Sequence, residues 1–289
     1  MMRRPVKQVI ERVGPHYHQA RLVKPSGEVT DLSALGFEVV KVIDSSPDEN
    51  LLSEELEEQD GYLDLGTSLN GRELTLTVFF LAHSYQDAAL RKRELYALFS
   101  SRERFYFRTK AEPGKQILVR RVGSISPEDA GAYTYSVEIT LASSSPYWES
   151  IEGAFEEPSL DGEFALGAGL DLTEISNGTT TGNNAILYNK GDARIDARDV
   201  HTPFRIVVKG ATSNLRMLNR ANGSSVQLFT TSAASDTIIF DGVRITKNGA
   251  SIFGLSDHGA LVLEQGKNEI QITGNSSAEI TFEAKNYFL

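Results

Sequence analysis

The sequence predicts a mainly β protein with one principal helix, divided into two domains of different grain. Residues 61–148 follow a strand, helix, strand, strand order and close on Ser145-Pro146-Tyr147-Trp148. Everything after them breaks into short apolar runs separated by turn residues. The 289 residues suffice for two compact domains, and 40% hydrophobic with 24% charged content is ordinary for a soluble globular chain. Domain one, 1–151, is expected as a small antiparallel sheet or barrel with the helix packed on it. Domain two, 152–289, is expected as a β-sandwich.

Along the first domain, 19–23 and 29–32 predict a hairpin around Pro25-Ser26-Gly27. A β-branched strand over 37–43 ends where Ser45-Ser46-Pro47 breaks it. In the acidic stretch 50–60, Leu51, Leu52 and Leu56 stand at near-helical spacing and predict one or two helical turns. Leu74, Leu76, Val78 and Phe80 alternate with Glu73, Thr75 and Thr77, the two-residue period of a strand burying one face. Tyr133, Tyr135, Val137, Ile139 and Leu141 alternate as cleanly. Between them Ser84 offers an N-cap with Asp87 three positions on, so a helix is expected over 85–99. Projected at about 100° per residue, it puts Tyr85, Ala88, Ala89, Leu95, Tyr96 and Phe99 on one face with Lys92 intruding. Leu90, Ala97 and Leu98 fall on the other. Strands over 104–109 and 116–122 flank the turn at Pro113-Gly114.

The second domain opens on a Gly-, Ser-, Thr- and Asn-rich stretch over 150–184, with 177–182 expected as loop. Strands are predicted over 185–188, 193–197, 204–209, 214–218, 225–230, 237–241, 244–246, 261–263, 269–273 and 279–284. Asn222-Gly223 and Asn248-Gly249 are hairpin turn signals.

Composition excludes several function classes. With no cysteine, disulfides, thiolate chemistry and sulfur-ligated zinc drop out. No apolar run approaches about 18 residues and Met1-Met2-Arg3-Arg4 leads into mixed polar sequence, so neither a membrane span nor a secretory signal is expected, and synthesis and assembly are expected in the cytoplasm. A net charge of -10 argues against tight nucleic-acid binding, which draws on cations releasing counterions. The charge is uneven. Residues 44–60 hold eight carboxylates and no Lys or Arg, and 91–121 hold ten basic residues against three acidic. Two readings stand: a solvated acidic loop with an exposed basic helix face, or complementary charge between neighbouring copies.

On a strand His16 and His18 would point to one face, a spacing compatible with metal ligation, but no third ligand is suggested nearby, so no metal is expected. His83, His201 and His258 are isolated, and no nucleophile elbow, His-Glu-x-x-His or phosphate loop occurs. Asp236 with Asp241, or Asp192, Asp196 and Asp199, offer carboxylates for glycoside hydrolysis, yet acids at strand ends are far more often turn formers. The expectation is no catalysis and no cofactor. Sugar stacking is weighed on Trp148, Phe204, Phe229, Phe240 and Phe282, for which core packing is the expected role.

The run Asp60-Gly61-Tyr62, the alternating strand, the helix Arg91-Lys92-Arg93-Glu94-Leu95-Tyr96-Ala97-Leu98, Pro113-Gly114-Lys115 and Pro146-Tyr147-Trp148 together resemble the N-terminal domain of the distal tail proteins of siphovirus-type bacteriophages. The 204–210 strand, Leu218-Asn219, 236–241, Asn248-Gly249 and Gly266-Lys267-Asn268 resemble that family's second domain. The resemblance implies a galectin-like or carbohydrate-module-like sandwich. It further implies a non-enzymatic structural protein at the virion's tail tip: a homo-hexameric ring, with stacked rings as a variant. Implied partners are the tail tube protein, the tape measure protein, the tail-associated tip protein and peripheral receptor-binding proteins. Candidate ring contacts are Leu90 and Leu98, with the basic Arg91, Lys92 and Arg93 beside them. The alternatives are a host-adhesion or carbohydrate-binding module, and a tail-tube subunit.

Overall fold

The structure, a computed structural model, describes residues 19–55, 60–100, 102–156 and 176–289. The chain divides into two compact units, Met1–Pro146 and Tyr147–Leu289.

Unit one opens with the expected hairpin, Ala20–Val23 (β1) and Val29–Asp31 (β2). Phe37–Asp44 (β3) follows. The acidic segment then departs from the helical turns expected of it: Glu49–Glu54 (β4) is a strand paired antiparallel with Leu63–Leu69 (β5). One or two isolated helical turns are below the length that is stable in water, whereas the ladder pairs the facing backbone groups of both segments. Leu56 lies outside the described residues, as do His16 and His18. Arg72–Leu81 (β6) buries Leu74, Leu76, Val78 and Phe80, the face its alternation predicts.

Tyr85–Leu98 (α1) starts at its cap, where Ser84 Oγ accepts from the Asp87 amide at 3.1 Å. Asp87 reaches back one residue further than a capping box would, accepting from the His83 amide at 2.8 Å. At the other end Arg121 donates to the Phe99 carbonyl at 2.9 Å, a cation on the negative pole of the helix. The buried residues are Ala88, Leu95 and Phe99. Tyr85, Ala89 and Tyr96, expected inside, are exposed, and Leu98, expected outside, is half-buried. The inward face is completed by cations instead: Arg91 lies 6.0 Å over the Phe37 ring and Lys92 4.5 Å over the Tyr135 ring. Their aliphatic stems cover apolar surface while the charge meets a π-face, which a hydrophobicity projection does not register.

Phe105–Thr109 (β7), Lys115–Val122 (β8), Glu128–Gly131 (β9) and Thr134–Ser143 (β10) complete the unit. Tyr133, expected in the strand, sits before it at φ 55°. The strands run β2-β1-β7-β8-β10-β6-β3, with β9 beside β10, and neighbours pair antiparallel. The ribbon β4–β5 forms a sheet of its own. Where β5 turns into β6, Gly71 lies so close to β10 that a Cβ there would stand 2.2 Å from the Ser143 carbonyl oxygen. The next residue, Arg72, is 3% exposed and pairs with Asp44 at 3.0 Å.

Unit two comprises Trp148–Ser150 (β11), Thr179–Thr180 (β12), Asn184–Asn189 (β13), Ile195–Asp196 (β14), Phe204–Lys209 (β15), Thr212–Asn219 (β16), Ser225–Gln227 (β17), Thr231–Ser232 (β18), Thr237–Asp241 (β19), Arg244–Lys247 (β20), Ala250–Ser251 (β21), Val262–Leu263 (β22), Gly266–Asn275 (β23), Glu279–Ala284 (β24) and Tyr287–Phe288 (β25). A six-stranded sheet, β12-β24-β15-β19-β20-β21, and a five-stranded one, β13-β23-β16-β17 with β18 on β16, contribute to one apolar core. That is the two-layer packing of a sandwich. The loop expected over 177–182 contains β12, which pairs with β24 through Thr179 and Thr180. Part of the long linker, 157–175, lies outside the described residues.

Turns in this unit are locked by side-chain amides. Asn248 and Gly249, at φ 50° and 83°, join β20 to β21 in the left-handed conformation that a tight hairpin turn requires. Asn268 Oδ1 accepts from Asn219 Nδ2 at 2.8 Å and from the Glu264 amide at 2.9 Å. Its Nδ2 donates to the carbonyls of Glu264 and Gly266 at 2.8 and 3.0 Å. All four hydrogen-bonding positions of this fully buried amide are used.

Candidate assembly interface

The ribbon β4–β5 is the least self-sufficient element of the molecule. Two-stranded ribbons are marginally stable in water, and this one has no sheet beside it and no side chain buried. Leu51, Leu52, Leu63 and Leu65 are 51%, 44%, 48% and 55% exposed. Covering what remains of each would contribute roughly 1 kcal/mol, since full burial of a leucine is worth about 1.5–3. A bulge at Leu65, opposite the step from Leu52 to Ser53, twists the ribbon, and Asp64 steadies it by accepting from the Gly66 amide at 2.8 Å. Asp48, Glu49, Glu54, Glu55 and Asp60 are exposed along and beside it.

The sheet of unit one also ends in β2 and β3, each with a strand neighbour on one side only. Such edges present unpaired backbone groups that invite another chain.

Of the predicted contact residues, Leu90 and Arg93 are exposed, Leu90 at 63%. Arg91 and Lys92 are committed within their own unit, Arg91 also donating to the Leu35 carbonyl at 2.8 Å and lying 3.2 Å from Glu94. Leu98 is half-buried and lines a groove with Leu22, Ala97 and Phe105. The ribbon was the element that sequence reasoning missed. The run carries no strand signal: Leu51, Leu52 and Leu56 stand at near-helical spacing, and the segment is too short for the two periods to be told apart.

Of the carboxylates weighed for catalysis, Asp192, Asp196, Asp199 and Asp236 accept structural hydrogen bonds. Asp196 makes a two-point contact with Arg198, through Nε at 3.0 Å and Nη2 at 2.9 Å, which holds its pKa below the ordinary carboxylate value. Asp199 accepts from the His201 amide and Asp192 from the Leu289 amide. Asp236 accepts from the Ala233 amide, pairs with Lys247 at 2.9 Å and accepts from Asn248 Nδ2, and these donors lower its pKa to about 2. Because the folded-state pKa lies below the ordinary 3.8, the stabilisation is present above about pH 4 and is lost as pH falls toward 2. Melting of the second unit, followed by fluorescence of the sole tryptophan, Trp148, is therefore expected to weaken over that window. Asp236→Asn should flatten that part of the pH dependence.

Of the aromatic residues weighed for sugar stacking, Trp148, Phe204, Phe240 and Phe282 are buried, and Phe204 stacks on Phe282 at 6.3 Å. Phe229 differs from its expected core role: it is 57% exposed.

Residues 28–143 match the family of the phage tail protein RIFT-related domain. No curated protein matches the chain. Among solved structures it is similar to the Dit (gp 19.1) protein of phage SPP1, a hub adsorption apparatus of phages infecting Gram-positive bacteria. The TM-score is 0.65 at 15% identity, covering 94% of this chain and 99% of that one. A chain of the phage p2 baseplate in its activated conformation is less alike, with a TM-score of 0.45 at 11% identity, covering 93% of this chain and 97% of the other.

Proposed function

We propose, for a chain that carries a phage tail protein RIFT-related domain over residues 28–143 and has the fold of a distal tail protein, that it is a non-enzymatic hub of the phage tail tip. Six copies close into a ring through the first domain, 1–151, and the ring joins the tail tube to the tail-associated and receptor-binding proteins. DNA passes through its channel. The second domain, 152–289, forms the periphery.

The observation that carries this reading is the ribbon β4–β5, a strand pair with leucines and carboxylates exposed and no core of its own. Identical copies around an axis supply what it lacks, and cyclic closure removes the edges that would otherwise recruit further chains.

Native mass spectrometry of the purified chain separates the readings. Masses of six or twelve copies are expected. Open-ended polymers would instead identify a tail-tube subunit, and a persistent monomer that binds glycan saturably would identify a host-adhesion module.

A further inference from the structure

We propose that the acidic ribbon β4–β5 of one copy docks into the groove between β1–β2 and the C-terminal end of α1 on the next copy. This rests on the ring reading above and names the surface that receives the ribbon. The groove measures about 420 Å³, with Leu22, Ala97, Leu98 and Phe105 among its lining residues and Arg102 and Arg104 at its rim.

Three features of the groove match the ribbon. Its floor is apolar and open, as the ribbon's leucines require. Its charge leans positive: of the lining carboxylates, Glu28 pairs with Lys24 at 2.8 Å and Glu94 with Arg91 at 3.2 Å, which leaves Arg102 and Arg104 against the single carboxylate of Glu103. Among the described residues neither Arg102 nor Arg104 makes an ion pair, and Glu103 stands between them in the chain. On the ribbon, Asp48, Glu49, Glu54 and Glu55 likewise have no cation partner among the described residues. Lastly, β2 borders the groove as an end strand with Val29 exposed at 55%, so its backbone is open to a further strand. Ribbon and groove are different surfaces of one chain. Their contact is therefore head to tail, the kind that generates a closed ring when the rotation closes.

The absence of cysteine makes the test clean. Leu52→Cys combined with Ala97→Cys is expected to give, on oxidation, an intermolecular ladder up to the full ring, which neither single variant gives. Separately, Arg102→Glu with Arg104→Glu is expected to weaken assembly by about tenfold or more, and adding Glu54→Lys with Glu55→Lys to restore it. Rings that persist in native mass spectrometry without cross-linking and without response to arginine reversal overturn the docking and leave the ring. A wild-type chain that does not assemble, together with a double-cysteine variant that does not cross-link, overturns both.

Discussion

Asn268→Leu is expected to destabilise the second unit by about 3 kcal/mol, although it places an apolar side chain at a fully buried position. The amide it removes satisfies the Glu264 amide and the carbonyls of Glu264 and Gly266, and accepts from Asn219. Leucine offers none of these atoms a partner, and each buried orphan costs on the order of 1–3 kcal/mol, reduced here where half-buried Glu264 reaches water. Asn219 keeps its bond to the Val262 carbonyl at 2.7 Å and its acceptor role toward the Ala221 amide, so the damage concentrates on the turn between β22 and β23. Urea unfolding followed by Trp148 fluorescence reads the loss directly, since that tryptophan is buried in the same unit. A midpoint equal to wild type would mean that water replaces the amide and that the network holds no turn.

Asp44→Ala is expected to cost the first unit about 3 kcal/mol, toward the low end for breaking a buried pair because Asp44 is itself partly exposed. Its partner Arg72 stays behind at 3% exposure, with Nε already lacking a hydrogen-bond partner. A stranded guanidinium is the larger part of the damage. Arg72→Met on top of Asp44→Ala should therefore recover much of the stability, a sign that side-chain volume alone would not produce. Hydrogen exchange of β3, β6 and β10 reads the effect, because Asp44 and Arg72 sit at the ends of the β3–β6 and β6–β10 ladders. Equal destabilisation of the single and double variants would show that the pair matters only for packing.

These residues also show how much the sequence discloses. Strands β6 and β10 were legible because one face is buried and the other is not, which writes a period of two into the residues. The helix start was legible because a cap is a local signal. Its facing was not, since Arg91 and Lys92 pack inward on Phe37 and Tyr135, and tertiary contact decided what polarity could not. The motifs that carried the family resemblance in the second half, Leu218-Asn219, Asn248-Gly249 and Gly266-Lys267-Asn268, are the amide locks of its turns. Their spacing was visible in the sequence; their mutual contact, 49 residues apart for Asn219 and Asn268, was not. The ribbon was illegible for the opposite reason. A strand pair exposed on both faces has no buried side to impose an alternation, so its residues carry no period.

That exposure has a consequence for the copies before they meet. Leucine-bearing strand pairs of this kind are natural seeds for stacking into fibrils wherever many copies are present at once. Asp48, Glu49, Glu54 and Glu55 act as gatekeepers against that fate: two ribbons laid alongside one another bring like charges together, whereas docking beside Arg102 and Arg104, as proposed above, would not. On the docking proposed above, the same acidic residues would steer the ribbon to its receiving surface and keep it from its own kind, so that solubility and selectivity would follow from one stretch of sequence.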